Sequence, residues 1–410
     1  MKKLLLVLLI LSLFINHLNA NEKDLQIIQK DKKEYRLLDK ESIQTRQQSQ
    51  KYDWISPIDL SGNIGRNHSF SDENSRNLNN KNTKSASIGF TQSIFESGGI
   101  GFKMDYADNR FKYEMLSWEN QNSQLIYTIY NTLLDIKKLK LEINQNDYRI
   151  VNKDIELIIK KIQYEAGKTD IIELNNAIMS KNLILKEEIA LKNSLKEKEQ
   201  ELAKYTDLKY DEIEILDFQE TNKEIFLDKN YSILEADAKV EMLNSEYKIK
   251  KSQYLPKLSL SAKASYSNKD EKFNSMISDT NKDDATSSGS LILSMPLYDY
   301  TKSSKIQESK IEVLKQKALV NDLKNETAFE YEQIFTKIDT YLKQNETINK
   351  NIKLYEELIG ANQISSEAGM TSKYDLEILE NTKTINEFDI LINKINILQQ
   401  YAKLYFKIKN

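Results

Sequence analysis

From Lys103 to Glu165, and again from Lys302 to Glu367, the chain runs for more than sixty residues without a proline. In the first tract Ile129, Leu133, Ile136, Leu139, Ile143 and Ile150 keep helical apolar spacing. A helix of that length spans on the order of 90 Å, at about 1.5 Å per residue. No globular core holds such an element, so each tract must pack along a coiled-coil-like seam in an antiparallel pair. Shorter helices are expected after each tract, over about 170–205 and 372–408.

Breakers gather where these tracts stop. Pro57, Pro256 and Pro296 all fall at or beside short alternating segments, and six glycines lie between 62 and 101. The two halves also repeat one another. Ile58-Asp59-Leu60-Ser61 matches Leu258-Ser259-Leu260-Ser261 at an offset of 200, and Thr91–Glu96 matches Ser294–Asp299 at an offset of 203. EAGKTDIIEL (165–174) matches EAGMTSKYDL (367–376) at an offset of 202. Landmarks matched in one order over so large a period mean two copies of one structural unit. Each copy reads strand, polar loop, strand, very long helix, tight turn, second helix. The chain divides into a signal segment (1–20), an N-terminal lead-in helix (21–52), a first repeat (53–230) and a second repeat (231–410).

The strands decide between a membrane protein and a soluble rod. In YLPKLSLSAKASYS (254–267), Leu258, Leu260, Ala262, Ala264 and Tyr266 share one face against Ser259, Ser261, Lys263 and Ser265. Ala86, Ile88, Phe90 and Ile94 oppose Ser87, Gly89, Thr91 and Ser93, and Leu291, Leu293, Met295 and Leu297 oppose Ser290, Ile292 and Ser294. The weakest segment sets Ile58, Leu60 and Ile64 against Asp59, Ser61 and Asn63. One face must meet something apolar, while the other is small and hydroxylic, like the lining of a wet pore. About ten residues suit a tilted strand crossing a membrane. The polar connections 67–84 and 268–288 suit the outer loops of a membrane barrel. Four strands cannot close such a barrel, and an open edge in lipid is not tolerated, so several chains must share one. Tyr266, Tyr298 and Phe95 fall near strand ends, where an interfacial aromatic girdle belongs, although packing in a core would place them there equally well.

Lys2 and Lys3 followed by LLLVLLILSLFI and a small residue at Ala20 form a secretory signal. Its removal takes two lysines and moves the formal charge from −3 to −5. That mildly acidic, mixed balance suggests no nucleic-acid partner. With no cysteine anywhere, the mature N-terminus cannot be lipidated. No later segment offers eighteen uncharged apolar residues, so no transmembrane helix is expected. With His68 the one histidine after the signal, and no glycine-rich phosphate loop, no enzyme, metal or cofactor site is expected.

These motifs together resemble the outer-membrane efflux family, the TolC-like channel-tunnels. Tyr254-Leu255-Pro256-Lys257-Leu258-Ser259-Leu260-Ser261 resembles that family's strand opening. Leu293–Asp299 resembles its strand close, as does Phe95–Gly99 in the first copy. The Gly-x-Thr turns at Gly167 and Gly369, each with an acid six residues on, resemble its helix tips. The resemblance implies a mainly α fold with a small β part. Long antiparallel coiled-coil helices would form a periplasmic α-barrel, and four strands per chain would contribute to a twelve-stranded transmembrane β-barrel shared by a homotrimer. It implies a passive export duct of a tripartite efflux or type I secretion system, in the outer membrane with a large periplasmic portion. Its partners would be a periplasmic adaptor protein, an inner-membrane efflux pump or exporter, and outer-membrane lipid.

On this reading Ile88, Phe90, Leu258, Leu260, Ala262, Leu291 and Leu293 face lipid. Gly167, Thr169, Gly369 and Thr371 build the tip turns that dock the adaptor, with the glycines as left-handed caps and the threonines capping the next helices. Asp375, and to a lesser degree Glu173, would ring the entrance constriction. Two positions depart from some relatives: Ile378 stands where they have a second acid, and Thr371 where they have an arginine. The competing reading is a soluble periplasmic coiled-coil scaffold or adaptor, with the same helices but no lipid-facing strands.

Overall fold

The computed structural model describes residues 25–69, 79–214, 216, 218, 220–270, 282–367 and 372–409. The signal segment, Gly369, Thr371 and the centres of both strand-connecting loops lie outside the described residues. In chain order the elements are α1 (Lys30–Tyr52), β1 (Asp59–Ser69), β2 (Asn79–Phe95), α2 (Gly99–Glu165), α3 (Ile171–Ala203), α4 (Lys223–Asp228), α5 (Tyr231–Ser252), β3 (Lys257–Asp270), β4 (Lys282–Ser294), α6 (Lys302–Glu367) and α7 (Lys373–Tyr405). The helices of the two copies match in length: 23 and 22 residues for α1 and α5, 67 and 66 for α2 and α6, and 33 each for α3 and α7. The helix at 30–52 therefore holds the same place before β1 that α5 holds before β3, and the repeating unit is helix, hairpin, helix, helix.

Contacts divide the chain into two compact units. One comprises Glu41–Met115 and Glu235–Val320 and contains the sheet. Its four strands are antiparallel in the order β1-β2-β3-β4, with β2 and β3 joining the two copies. The chain enters α2 through a sharp turn. Ser97 and Gly98 both take positive φ (50° and 88°), and a Cβ on Gly98 would stand 3.1 Å from the Phe102 ring. The helix consequently starts at Gly99, earlier than the apolar spacing indicates. Ser97 Oγ donates to the Pro256 carbonyl at 2.7 Å and ties this turn to the start of β3. At the matching place in the second copy, Asp299 accepts from the Thr301 N–H at 2.8 Å and from its hydroxyl at 2.7 Å, turning the chain into α6. Arg46 pairs with Glu114 at 2.9 Å, and Lys51 with Asp108 at 3.1 Å, fixing the later part of α1 on α2.

The other unit comprises Leu116–Leu234 and Asn321–Asn410 with the described residues up to Lys40. It holds two antiparallel helical hairpins, α2–α3 and α6–α7. The same ion pair recurs within each hairpin: Asp154 with Lys181 at 2.5 Å, and Glu356 with Lys383 at 3.0 Å. One core gathers Phe226, Ile334, Ile338, Leu404 and Ile408. Beside it Tyr130 stacks on Phe406 at 5.4 Å, and Phe218 meets both edgewise. The link between the copies supplies Phe218 and Phe226, and hydrogen bonds from Tyr231 N to Lys407 O (3.0 Å) and from Lys409 N to Lys229 O (2.8 Å) hold it to the segment after α7.

The α2–α7 contact departs from the apolar seam that the spacing implies. Gln145 donates to Asp389 at 2.7 Å, Asn152 to Thr382 at 3.3 Å, and Gln399 to Asp135 at 2.7 Å. Partnered polar layers of this kind fix the register of a helix pair more than they strengthen it.

Candidate functional site

The candidate site has two parts, the sheet and the helix tips. Pleating fixes the faces of one strand; only pairing fixes whether the strands agree. They do. Leu60 pairs with Ile88, Ile88 with Ala264, Phe90 with Ala262, Leu260 with Leu291 and Leu258 with Leu293. All seven residues expected to face lipid therefore share one side of the sheet. That side is uncovered in the chain: Leu60 is 79% exposed and Leu293 72%. An apolar face this extensive on a four-stranded sheet marks a surface that meets lipid or a partner.

The opposite side carries paired hydroxyls. Ser61 lies 2.8 Å from Ser87, Thr91 3.0 Å from Ser261, and Ser265 2.7 Å from Thr286, each Oγ to Oγ across neighbouring strands. Two details differ from the alternation read along the sequence. Register shifts between Ser93 and Phe95, so Phe95, rather than Ile94, pairs with Leu258 and takes its face. β4 ends at Ser294, so Met295 and Leu297 lie beyond it, where Pro296 has no N–H to offer a ladder.

At the first tip, Gly167 has φ of 68°. Its N–H bonds to Tyr164 O at 3.0 Å and that of Lys168 to Gln163 O at 2.8 Å. This is a Schellman close, in which the left-handed residue needs no Cβ. The cap of α3 is Asp170, whose carboxylate accepts from Glu173 N at 3.0 Å. Thr169 stands one residue too early to cap. The second tip follows suit: Ser372 caps α7, accepting from Tyr374 N at 3.2 Å. An Asp or Ser immediately before the helix satisfies the free N–H groups of its first turn, and Thr169, one residue earlier, cannot reach them as well.

The two acids differ in company. Glu173 receives Lys160 from the last turns of α2 at 2.9 Å. Asp375 is exposed, and among the described residues no ion pair reaches it. At an offset of 202, the place of Lys160 is held by Asn362. The turn acids are held otherwise. Burial pushes the Glu96 carboxyl up, but Lys103 at 2.9 Å outweighs it and holds the group below the usual carboxylate range. Hydrogen bonds from Thr301 do the same for Asp299.

No described helix is long and apolar enough to cross a membrane, and no described group of His, Cys, Asp or Glu could hold a metal ion. Residues 224–403 match the family model of the outer membrane efflux protein. No curated protein matches the chain in sequence. Among solved structures, the chain is similar to the outer membrane protein VceC from Vibrio cholerae, with a TM-score of 0.72 at 12% identity over 93% of this chain and 94% of that one. It is similar to the CmeC outer membrane channel of Campylobacter jejuni, with a TM-score of 0.70 at 12% identity over 92% and 84%. It is also similar to the open state of the MtrE outer membrane channel of Neisseria gonorrhoeae, with a TM-score of 0.69 at 11% identity over 94% and 87%. These matches are to efflux proteins and channels rather than to enzymes. Residues 224–403 carry the sequence pattern of the outer membrane efflux proteins, the family that the strand and tip motifs resemble, and over 92–93% of its length the chain has the fold of solved outer-membrane channels.

Proposed function

We propose that the chain is one third of a passive outer-membrane export duct. The observation that supports this most is the common register of the sheet, which sets all seven residues expected to face lipid on one uncovered side and the paired hydroxyls on the other. A soluble scaffold would have to leave that apolar face in water. The outer strands β1 and β4 each have one neighbour in the chain, so each offers an unpaired edge. In a membrane those edges must be satisfied by other chains. Three copies, with β1 of one beside β4 of the next, close twelve strands without an edge.

The helical hairpins then continue the duct into the periplasm. Their tips, at Gly167 and Thr169 in one copy and Gly369 and Thr371 in the other, form its entrance and dock a periplasmic adaptor that couples it to an inner-membrane pump or exporter. Asp375 lines the constriction, and Glu173, neutralised by Lys160, contributes less. Membrane fractionation tests the placement: the protein should stay with outer membranes after carbonate washing, and cross-linking in detergent should yield trimers. Recovery as a soluble periplasmic monomer would overturn the duct and favour the scaffold.

A further inference from the structure

One cross-strand row of the hydroxyl face is unlike the others. Asp59 pairs with Gly89, Gly89 with Lys263, and Lys263 with Ser288. This row sets a carboxylate and an ammonium two strands apart, separated by a residue with no side chain. Both charged residues are exposed, and no ion pair joins them among the described residues. Their backbones are about 10 Å apart, two strand spacings. A side chain at this position would be crowded: a Cβ there would lie 3.0 Å from the Ala262 carbonyl oxygen and 3.3 Å from Lys263 Cγ. The lysine stem therefore lies beside the bare glycine backbone. A depression of about 400 Å³ lies over Gly89, bordered by Asp59 and Lys263 and walled by Ser61, Ser87, Thr91 and Ser261. Those hydroxyls form two pairs, at 2.8 Å and 3.0 Å. Each pair uses one hydroxyl hydrogen internally; the Ser61 hydroxyl also has the Ser87 carbonyl oxygen within 3.5 Å, whereas the Thr91–Ser261 pair can turn its other hydrogen into the depression. The other charged positions that the register sets on this face, Lys81, Lys257, Lys269, Lys282 and Asp284, stand towards the ends of their strands.

We propose that Asp59, Gly89 and Lys263 form a dipolar station on the pore wall, which holds passing solutes that carry both an ammonium and a carboxylate or phosphate. The inference rests on the export-duct reading, which turns the hydroxyl face inward and repeats the row three times. Closing twelve strands about 4.8 Å apart, tilted roughly 40°, gives a backbone radius on the order of 12 Å. Side chains reaching inward bring the charges within about one screening length, roughly 8 Å, of the axis. Three acids alternating with three lysines nearly cancel on the axis but not at the wall. The intact belt favours neither ion sign, and each single neutralisation unmasks the other.

Purified channels in planar bilayers under a KCl gradient provide the test. Lys263→Gln should shift the permeability ratio towards cations and Asp59→Asn towards anions, each by about twofold, and the double variant should return near the starting value. γ-Aminobutyrate, a zwitterion at neutral pH, should reduce the current of the unaltered channel and not that of the double variant. Unchanged ratios in both single variants, or equal block of the double variant, would overturn the station. Because the chain has no cysteine, Lys263→Cys provides a separate check on orientation. A membrane-impermeant maleimide should label it in the intact trimer, and failure to label it would overturn the inward placement of this face, and with it the duct reading.

Discussion

Lys160 reaches Glu173 at 2.9 Å across the first tip, joining the last turns of α2 to the first turn of α3. In the second copy the corresponding residues are Asn362 and Asp375, so the duplication has kept the acid and removed its cation. Neutralising Asp375 with Asn should therefore lower cation preference in bilayer recordings, while Glu173→Gln changes it less. Asp299→Asn, at the start of α6, is the control and should leave selectivity nearly as it was. Unchanged selectivity in Asp375→Asn would place the constriction elsewhere.

The two sides of β3 should differ sharply in tolerance. Ala262→Arg places a guanidinium on the apolar face, at a cost of about 2–4 kcal/mol near the centre of a bilayer. Trimer yield in outer membranes should collapse. Ser261→Arg, one residue away on the hydroxyl face, should assemble and change conductance instead. Equal yields of the two variants would contradict the membrane assignment.

Gly167 takes a left-handed conformation with nothing near the position of an added Cβ. Gly167→Ala should thus cost about 1 kcal/mol through backbone strain alone, seen as a small fall in the urea midpoint with no change in trimer yield. Gly98→Ala adds contact with the Phe102 ring to the same strain and should cost more. Equal midpoints for both variants would show that the ring yields freely.

Glu330 lies between Lys403 at 2.8 Å and Lys407 at 2.6 Å. Burial raises its carboxyl, but the two ammonium groups outweigh burial and hold it below the ordinary glutamate range. A depressed folded value means the carboxylate stabilises the fold above that range and loses its effect as pH falls through the folded value. Glu330→Gln should be less stable than the unaltered protein at neutral pH, and the gap should close on acidification. A gap that stays constant with pH would assign the loss to packing.

Long, regular elements were the most legible. The bounds of α6 coincide with the proline-free tract from Lys302 to Glu367, and the apolar face of each of β2, β3 and β4 follows from alternation, which pairing then brings to one side. Features that depend on a single residue's neighbours were not legible. Thr169 has the chemistry of a cap, but Asp170 has the position. The shift beside Ile94 leaves no mark in the apolar pattern. Phe218 and Phe226 sit in a link with no periodicity, and their burial depends on residues nearly two hundred positions later. The polar α2–α7 contacts escaped a reading that counted only apolar spacing, although Asn131, Asp135, Glu142, Gln145, Arg149 and Asn152 also recur at helical intervals.

The register of β3 has a consequence for how this chain can change length. Deleting one residue between Leu258 and Ser261 would turn Lys263 and the serines beyond it towards the apolar side, and Ala262 and Ala264 towards the hydroxyls. Deleting two would restore the faces and shift the row, parting Lys263 from Gly89. Such strands can drift by substitution within each face, yet their paired stretches do not accommodate a change of length. Variation in size among descendants of this sequence should therefore spare the paired stretches of all four strands.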